Sequence, residues 1–513
     1  MEYRPVKGRK MVTPSTDWDY IVVGGGAAGS ALAARISENS AARVLLLEAG
    51  KDIRPADRPQ NFAGRTFDLD MAAQPDFWWH GLETRIHPGL DPVPFQAGRG
   101  VGGTSQVNGL FSIRGVRDDF DRWVARGAAG WSFDEVLPYY RKLEDDHDFP
   151  DAPYHGRGGP LPVYREPQKD WGGVDLAFRD AALGMGIAWH DDANAPDSTG
   201  LSPFPMHLRD GKRVAANDGY LEPARGRGNL TVRGEALVDS VTFAPDRSTV
   251  TGVQLADGET VPLAPGGEVI LAAGGTLSPA VLVRSGIGTS PDLRRLGVEQ
   301  VVELPVGQEL TEHPFIVLAL PIPSDRAASP FGRTVNVTWR YSSGLGDTGF
   351  NDMMIIPNNG WLNTPGVCIW QMHAVSRGRL VFTSRDPLAG PFVEMHMLTD
   401  QSDALRAKDA LERVGELVHQ PAFRSLLAGK PELPSAEELP RVTFASHHVA
   451  TTARMGSPDD ATTVVDPDCR VLGVEGLRVI DQSVMPEVIR GNPLLTVLML
   501  AERMADRIKA SHG

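Results

Sequence analysis

Apolar residues follow two different rhythms along the chain, and their alternation predicts its elements. Residues 19–50 read DYIVVGGGAAGSALAARISENSAARVLLLEAG: an apolar run, a glycine turn, a stretch with small residues on one face, and a second apolar run. That succession predicts a strand–helix–strand opening, because uninterrupted apolar runs suit strands buried on both faces and small side chains let a helix lie close to them. Strand-like text returns at 229–242 and 249–255, and EVILAAGG at 268–275 predicts a buried strand ending in glycines. Residues 150–212 are rich in Pro, Asp and His with few long apolar runs, so a loop-rich inserted layer is expected there. Residues 366–372 and 379–383 alternate as strands of a sheet-bearing second domain, and a helix follows over 402–418. The tail from 493 to 511 predicts one amphipathic helix, with Pro493 in its first turn, where no backbone donor is needed. At 513 residues the chain exceeds the usual size of one compact core, so two domains are expected.

Charge narrows the partners. Lys and Arg number 51 against 65 Asp and Glu, a net −14, which argues against a nucleic-acid binder because a phosphate backbone calls for a basic surface. The two cysteines, Cys368 and Cys469, form neither a metal-spaced cluster nor a redox pair, which points to a reducing compartment. Residues 1–16 have basic positions but no apolar core of a secretory signal, and read as a flexible extension. The most apolar run, 269–283, is broken by Gly274, Gly275, Ser278 and Pro279 and is too short to span a bilayer. A cytoplasmic location without a membrane span is the expectation.

The glycines of GGGAAG carry the first chemistry. Gly24 suits a tight turn, Gly26 lets a pyrophosphate approach the backbone, and Gly29 lets the helix pack on its strand, so the helix N-terminus faces the anion. Glu48 ends the second strand, where a carboxylate accepts hydrogen bonds from a ribose 2′-hydroxyl. This pattern alone does not separate NAD from FAD. A second glycine-rich segment, GRGVGGTSQVNG (98–109), can run along a phosphate and a flat ring, with the Asn108 amide at the ring edge.

Together with GGTLSPAVLVRSGIG (274–288), that segment resembles the two signature patterns of the glucose-methanol-choline oxidoreductases. LPVGQELTEHP (304–314) is similar to the family's LPGVGxNLxDHP, with Glu309 and Glu312 in place of Asn and Asp. LRVIDQSVMP (477–486) is similar to its LRVxDxSxMP, and the resemblance covers about residues 17–510. It implies an α/β chain, α+β overall, with a Rossmann-like FAD-binding domain (17–150, 213–310 and 441–513) and a substrate domain built on an antiparallel sheet flanked by helices (151–212 and 311–440). FAD is expected along Gly24, Gly26, Ala27, Ala28, Gly29, Glu48 and Ala49, then Arg99, Gly102, Gly103, Thr104, Asn108 and Gly109. Ala273, Gly274, Asp481, Gly491 and Pro493 complete the expected contacts, with Asp481 near the ribityl chain. Val107 stands where covalently flavinylated relatives carry histidine, so the cofactor is expected to be non-covalent.

The resemblance places the catalytic pair at His448, eight residues before Gly456, and Asn492. His448 is preferred to His447 because adjacent residues of an extended segment point to opposite sides. No third ligand is spaced nearby for a metal. A histidine can take the hydroxyl proton as hydride leaves the carbon of an alcohol, and Asn492, also a good helix cap, can orient the same oxygen. The helix after Pro493 would stabilise the reduced flavin with its positive end. Two departures bear on this segment: Val449 and Thr451 replace the proline and glycine of the family's HPxGT, and Gly275 replaces its Ala, Ser, Thr or Pro. Aromatics at Phe77, Trp78, Trp79, Trp361 and Trp370 suit a flat or apolar alcohol. The expected reaction is oxidation of a small primary alcohol to its aldehyde, with oxygen or another acceptor reoxidising the flavin. The resemblance leaves open a hydroxynitrile-lyase-like reading in which FAD is a passenger.

Overall fold

A computed structural model describes residues 17–65, 74–360 and 364–511; the expected extension over 1–16 and Trp361 lie outside these residues. The chain opens with β1 (Trp18–Val23), α1 (Ala27–Ile36) and β2 (Val44–Leu47). Every residue of β2 and the last four of β1 are buried, as their unbroken apolar text requires. β1 lies parallel between β2 and the long strand Thr260–Leu271; parallel Leu230–Arg233 extends the sheet past β2, and Leu477–Val479 past the long strand. The first half of Thr260–Leu271 instead pairs antiparallel with Val250–Leu255, which pairs with Val238–Phe243.

The C-terminal helix, Leu494–Ser511, packs on α1 with helix Phe133–Leu143 on its other side. Its Glu502 is fully buried and bonded by Arg35, Lys142 and the Tyr220 hydroxyl. Two cations and a donor satisfy that carboxylate, which fixes the helix lengthwise on the sheet.

A second sheet of six antiparallel strands runs in the order Thr443–Ala445, Pro314–Ala319, Gly366–Gln371, Met353–Asn358, Val337–Tyr341, Gly200–Pro203. Gly366–Gln371, an expected strand, is central in this sheet and buried throughout, with helix Gln401–His419 against it and Cys368 and Trp370 at a cavity. The inserted 150–212 region is more than loops. It supplies helix Gly173–Gly184 and the sheet-edge strand Gly200–Pro203, short elements that its Pro- and Asp-rich text disguises. A buried cluster fastens it. His155 bonds Glu144 and Asp192 at 2.8 Å each, while Arg165 and Arg114 compensate the carboxylates of Asp146, Asp192 and Glu144. Burial pushes the His155 imidazole down, but the Asp192 and Glu144 carboxylates outweigh it and raise its pKa.

Candidate active site

A cavity of about 320 Å³ is lined by residues of both sheets and runs from the GGGAAG turn to the two adjacent histidines. At the glycine end three positions separate by cause. Gly24 sits at φ +102°, and a Cβ there would lie 2.6 Å from the Ala272 carbonyl oxygen; a Cβ on Gly29 would lie 1.8 Å from the Gly24 oxygen. Protein packing forbids a side chain at both. Gly26 has ordinary extended backbone, and a Cβ on it would meet nothing within 4 Å. The space before Gly26 is therefore kept open by the fold, at the N-terminus of α1, where an anion is favoured.

Glu48 lines the same cavity. Its Oε2 accepts from Gly25 N at 2.7 Å and its Oε1 from Gly50 N at 2.8 Å and Gly100 N at 3.0 Å. The carboxylate ties three turns together and keeps lone pairs for a hydroxyl. Ala27, Ala28, Ala49, Gly103, Thr104, Asn108, Gly109, Ala273, Gly274, Asp481 and Pro493 also line the cavity. Both Asp481 oxygens are occupied, by Gly274 N and Ser278 Oγ on one side and by Ser483 on the other, and burial raises its pKa. The Asn108 oxygen accepts from Arg213 at 2.7 Å and Leu110 N at 3.1 Å, leaving its NH₂ group as the donor to offer. Four expected contact residues stand outside the wall. Gly29 packs α1 on β1, Arg99 lies over Trp79 and donates to Ala49 O, Gly102 donates its N–H to Gly25 O, and Gly491 abuts the Arg114 carbonyl.

At the far end His448 and Asn492 line the one cavity. Asn492 is 5% exposed and its Oδ1 has no hydrogen-bond partner, so the expected helix cap is not made; the first turn is closed by Val497 N donating to Pro493 O. An unpaired buried carboxamide oxygen costs free energy, and here it belongs to a side chain at the cavity wall beside the positive end of the C-terminal helix. The segment around His448 is not extended as supposed. His447 has φ +60° and both rings reach the wall; His447 packs on Phe95 with centroids 4.9 Å apart.

Two strands explain this bend. Pro314 pairs with Ala445, and Thr311 with Ala450, in antiparallel register. Between those pairs Glu312 and His313 face residues 446–449, two against four, so the histidine segment bulges out of the ladder. Bulges of this kind re-aim side chains next to sites. Glu312 fills the gap in the ladder: its Oε1 accepts from His313 N and its Oε2 from His448 N, both at 2.7 Å. Burial pushes its carboxyl up to about 8, with these amides acting the other way. His313 Nδ1 lies 2.9 Å from His448 Nδ1. Burial drives His448 well below the ordinary histidine pKa, with His313 and His447 adding to the effect, so its ring is neutral. Glu312, His313 and His448 are close enough for a metal triad. The two Nδ1 atoms lie within hydrogen-bond distance of each other, and both Glu312 oxygens accept backbone amides.

The sequence departures meet in space. A Cβ on Gly275 would lie 2.0 Å from the Val449 oxygen, which explains glycine there. Thr451, in the place of a family glycine, keeps left-handed φ at +75° and bonds Thr311 Oγ1 at 2.7 Å. Beyond the histidines the wall is apolar and aromatic: Phe111, Phe315, Val335, Ile356, Cys368 and Trp370. Trp78 and Trp79 line the cavity, whereas Phe77 packs against Phe62. Neither His313 nor the amide-holding role of Glu312 was anticipated from the sequence; the available signal was the EHP triplet directly before a strand.

GMC oxidoreductase family models match residues 18–315 and 374–501. The chain is 34% identical to a 5-(hydroxymethyl)furfural oxidase of Methylovorus sp. (strain MP688) over 96% of its length and 99% of the relative's. It is 32% identical to a mitochondrial choline dehydrogenase of Homo sapiens over 96% and 90%. Among solved structures it superposes on pyridoxine 4-oxidase from Mesorbium loti with a TM-score of 0.85 and 27% identity, covering 97% of this chain and 100% of that one. These relatives are oxidases and dehydrogenases and lend nothing to a lyase reading. No described helix is long and apolar enough to cross a membrane. A cavity opened at Gly26, an unpaired amide beside a helix N-terminus and full-length likeness to flavoenzymes agree: the chain belongs to the GMC oxidoreductase family, FAD-dependent enzymes that act on CH–OH donors.

Proposed function

We propose that the chain oxidises a flat, neutral primary alcohol to its aldehyde, with His448 as the base, Asn492 orienting the hydroxyl, and FAD held without a covalent bond. Bound FAD supplies the two-electron acceptor for the hydride that leaves the alcohol carbon. His448 takes the hydroxyl proton at Nε2, so the alcohol loses one hydride and one proton and leaves as aldehyde. Burial keeps the imidazole neutral and therefore able to accept. Asn492 at the cavity wall contributes the NH₂ group that donates to the alcohol oxygen, which raises the effective concentration of the reactive pose. Gly26, Glu48, Gly103, Thr104 and Asn108 would hold the cofactor. The parallel-sheet unit and the antiparallel sheet divide binding of cofactor and of alcohol between them, over the segments given by the sequence.

The observation that carries this reading is the shared cavity of a neutral His448 and an unpaired Asn492 against an apolar wall of Phe111, Phe315, Ile356 and Trp370. Among the described residues that wall holds no carboxylate to receive a quaternary ammonium, which favours 5-(hydroxymethyl)furfural, pyridoxine or benzyl alcohol over choline. The test is anaerobic mixing with each of these alcohols while the flavin absorbance is followed, then admission of air. Bleaching by an arene or furan alcohol and its loss in His448→Ala, with the yellow cofactor retained, are expected. Bleaching by none of them, or an unimpaired His448→Ala enzyme, overturns it.

A further inference from the structure

We propose that Glu312 and His313 act as a two-point clamp on His448, setting the position of its backbone and the tautomer of its ring. This rests on His448 being the base. No segment-local contact could do the same job, because the bulge that brings His447 and His448 into the cavity takes their amides out of the ladder. Glu312 replaces the missing main-chain acceptor by taking the His448 N–H at 2.7 Å, and its neighbour takes the ring at 2.9 Å. One dipeptide thus holds both ends of the residue.

The tautomer follows from what surrounds His313. It is fully buried, the backbone carbonyls of Ile489 and Met372 face its ring, and its Nε2 makes no hydrogen bond. With Nδ1 taken up by His448, the clamp puts the His313 proton on Nε2, toward those carbonyls, which accept and never donate, and Nδ1 then presents a lone pair. Across 2.9 Å the His448 Nδ1 must then be the donor. That leaves the lone pair of His448 on Nε2, free for the alcohol. When Nε2 takes the proton, the Nδ1–H bond to His313 becomes charge-assisted and strengthens. His313 is a positioning residue, a neutral counterpart of the carboxylate that orients a catalytic histidine in acyl transfer. The charged or titratable groups around the ring are Glu312, His313 and His447, with His373 beyond His313.

The test compares His313→Ala, His313→Asn, Glu312→Asp and Glu312→Gln as holoenzymes, using the fastest of the four alcohols above. The limiting rate of anaerobic flavin reduction in His313→Ala should fall about 10- to 100-fold, the range for loss of an orienting partner, with alcohol binding nearly unchanged. Asn presents Oδ1 near the lost Nδ1 and should recover much of that loss. Glu312→Gln puts an NH₂ group against an amide N–H and should slow reduction more than Glu312→Asp. Independently of turnover, ¹⁵N NMR of histidine-labelled protein should report His448 as the Nδ1–H tautomer, switching toward Nε2–H in His313→Ala. An Nε2–H form in the parent protein, a loss confined to alcohol binding, or identical rates for His313→Asn and His313→Ala would sink the clamp. If His448→Ala is itself fully active, the base assignment has failed instead, whatever the His313 variants do.

Discussion

Gly26→Ala and Gly29→Ala make a sharp pair, since each adds one methyl group and the two positions lie in the same turn. The backbone of Gly26 has φ −67° and ψ −159°, which alanine adopts without strain, and its Cβ would find open space. Replacing glycine there narrows the unfolded ensemble, so the cofactor-free protein should gain about 0.4–1 kcal/mol. The same methyl protrudes into the space reserved for the pyrophosphate, and overpacking there costs about 1–3 kcal/mol. FAD affinity should therefore weaken about 5- to 150-fold. Gly29→Ala reverses the outcome. Its Cβ would stand 1.8 Å from the Gly24 oxygen, so α1 must move off β1, and folding itself should lose about 3 kcal/mol or more, the upper end for overpacking. Urea unfolding of the cofactor-free proteins, with titration of FAD by quenching of its fluorescence, measures both quantities. Parent-like FAD binding by Gly26→Ala, or similar destabilisation by the two changes, would refute the reasoning that one glycine serves the ligand and the other the fold.

Three further outcomes follow from buried contacts. Asp119 is bonded at both oxygens by the buried Arg490, two residues before Asn492; Asp119→Ala removes one of the two carboxylates that hold that guanidinium, Asp118 remaining at 2.9 Å, and urea midpoints should show a loss of about 1–3 kcal/mol with slowed flavin reduction. His155 has a raised pKa in the folded state, so its contribution is complete below the unfolded value of about 6.5 and is lost as pH rises through the folded value. Unfolding midpoints of the parent should fall with rising pH over that window while His155→Gln is flat there; a parent curve that rises instead contradicts the assignment of an imidazolium. Gly275→Ala drives a Cβ toward the Val449 oxygen, 2.0 Å away, and should lower both melting temperature and reduction rate while the flavin spectrum persists.

What was legible in the chain follows from how locally each requirement is written. The GGGAAG turn, β1 and β2 were readable because glycine tolerance and burial act within a few residues, and the C-terminal helix because its period runs over 18 residues. Gly366–Gln371 was readable as a strand, but its central place in the sheet, under helix Gln401–His419, is set by distant partners that its own residues do not name. The inserted helix Gly173–Gly184 was hidden by flanking prolines and aspartates. His313 was out of reach for a different reason. It sits 135 positions before His448, and their approach depends on a mismatch between two ladder pairs, Pro314 with Ala445 and Thr311 with Ala450. Nothing in either strand alone encodes that mismatch. The unexpected Glu312 and the missing proline and glycine after His448 were its visible traces, for a strand that leaves its ladder exposes amides that some side chain must accept. A buried carboxylate close to such a segment, with no cation to pair it, identifies the acceptor, and the residue next to it is then the first candidate for holding the ring.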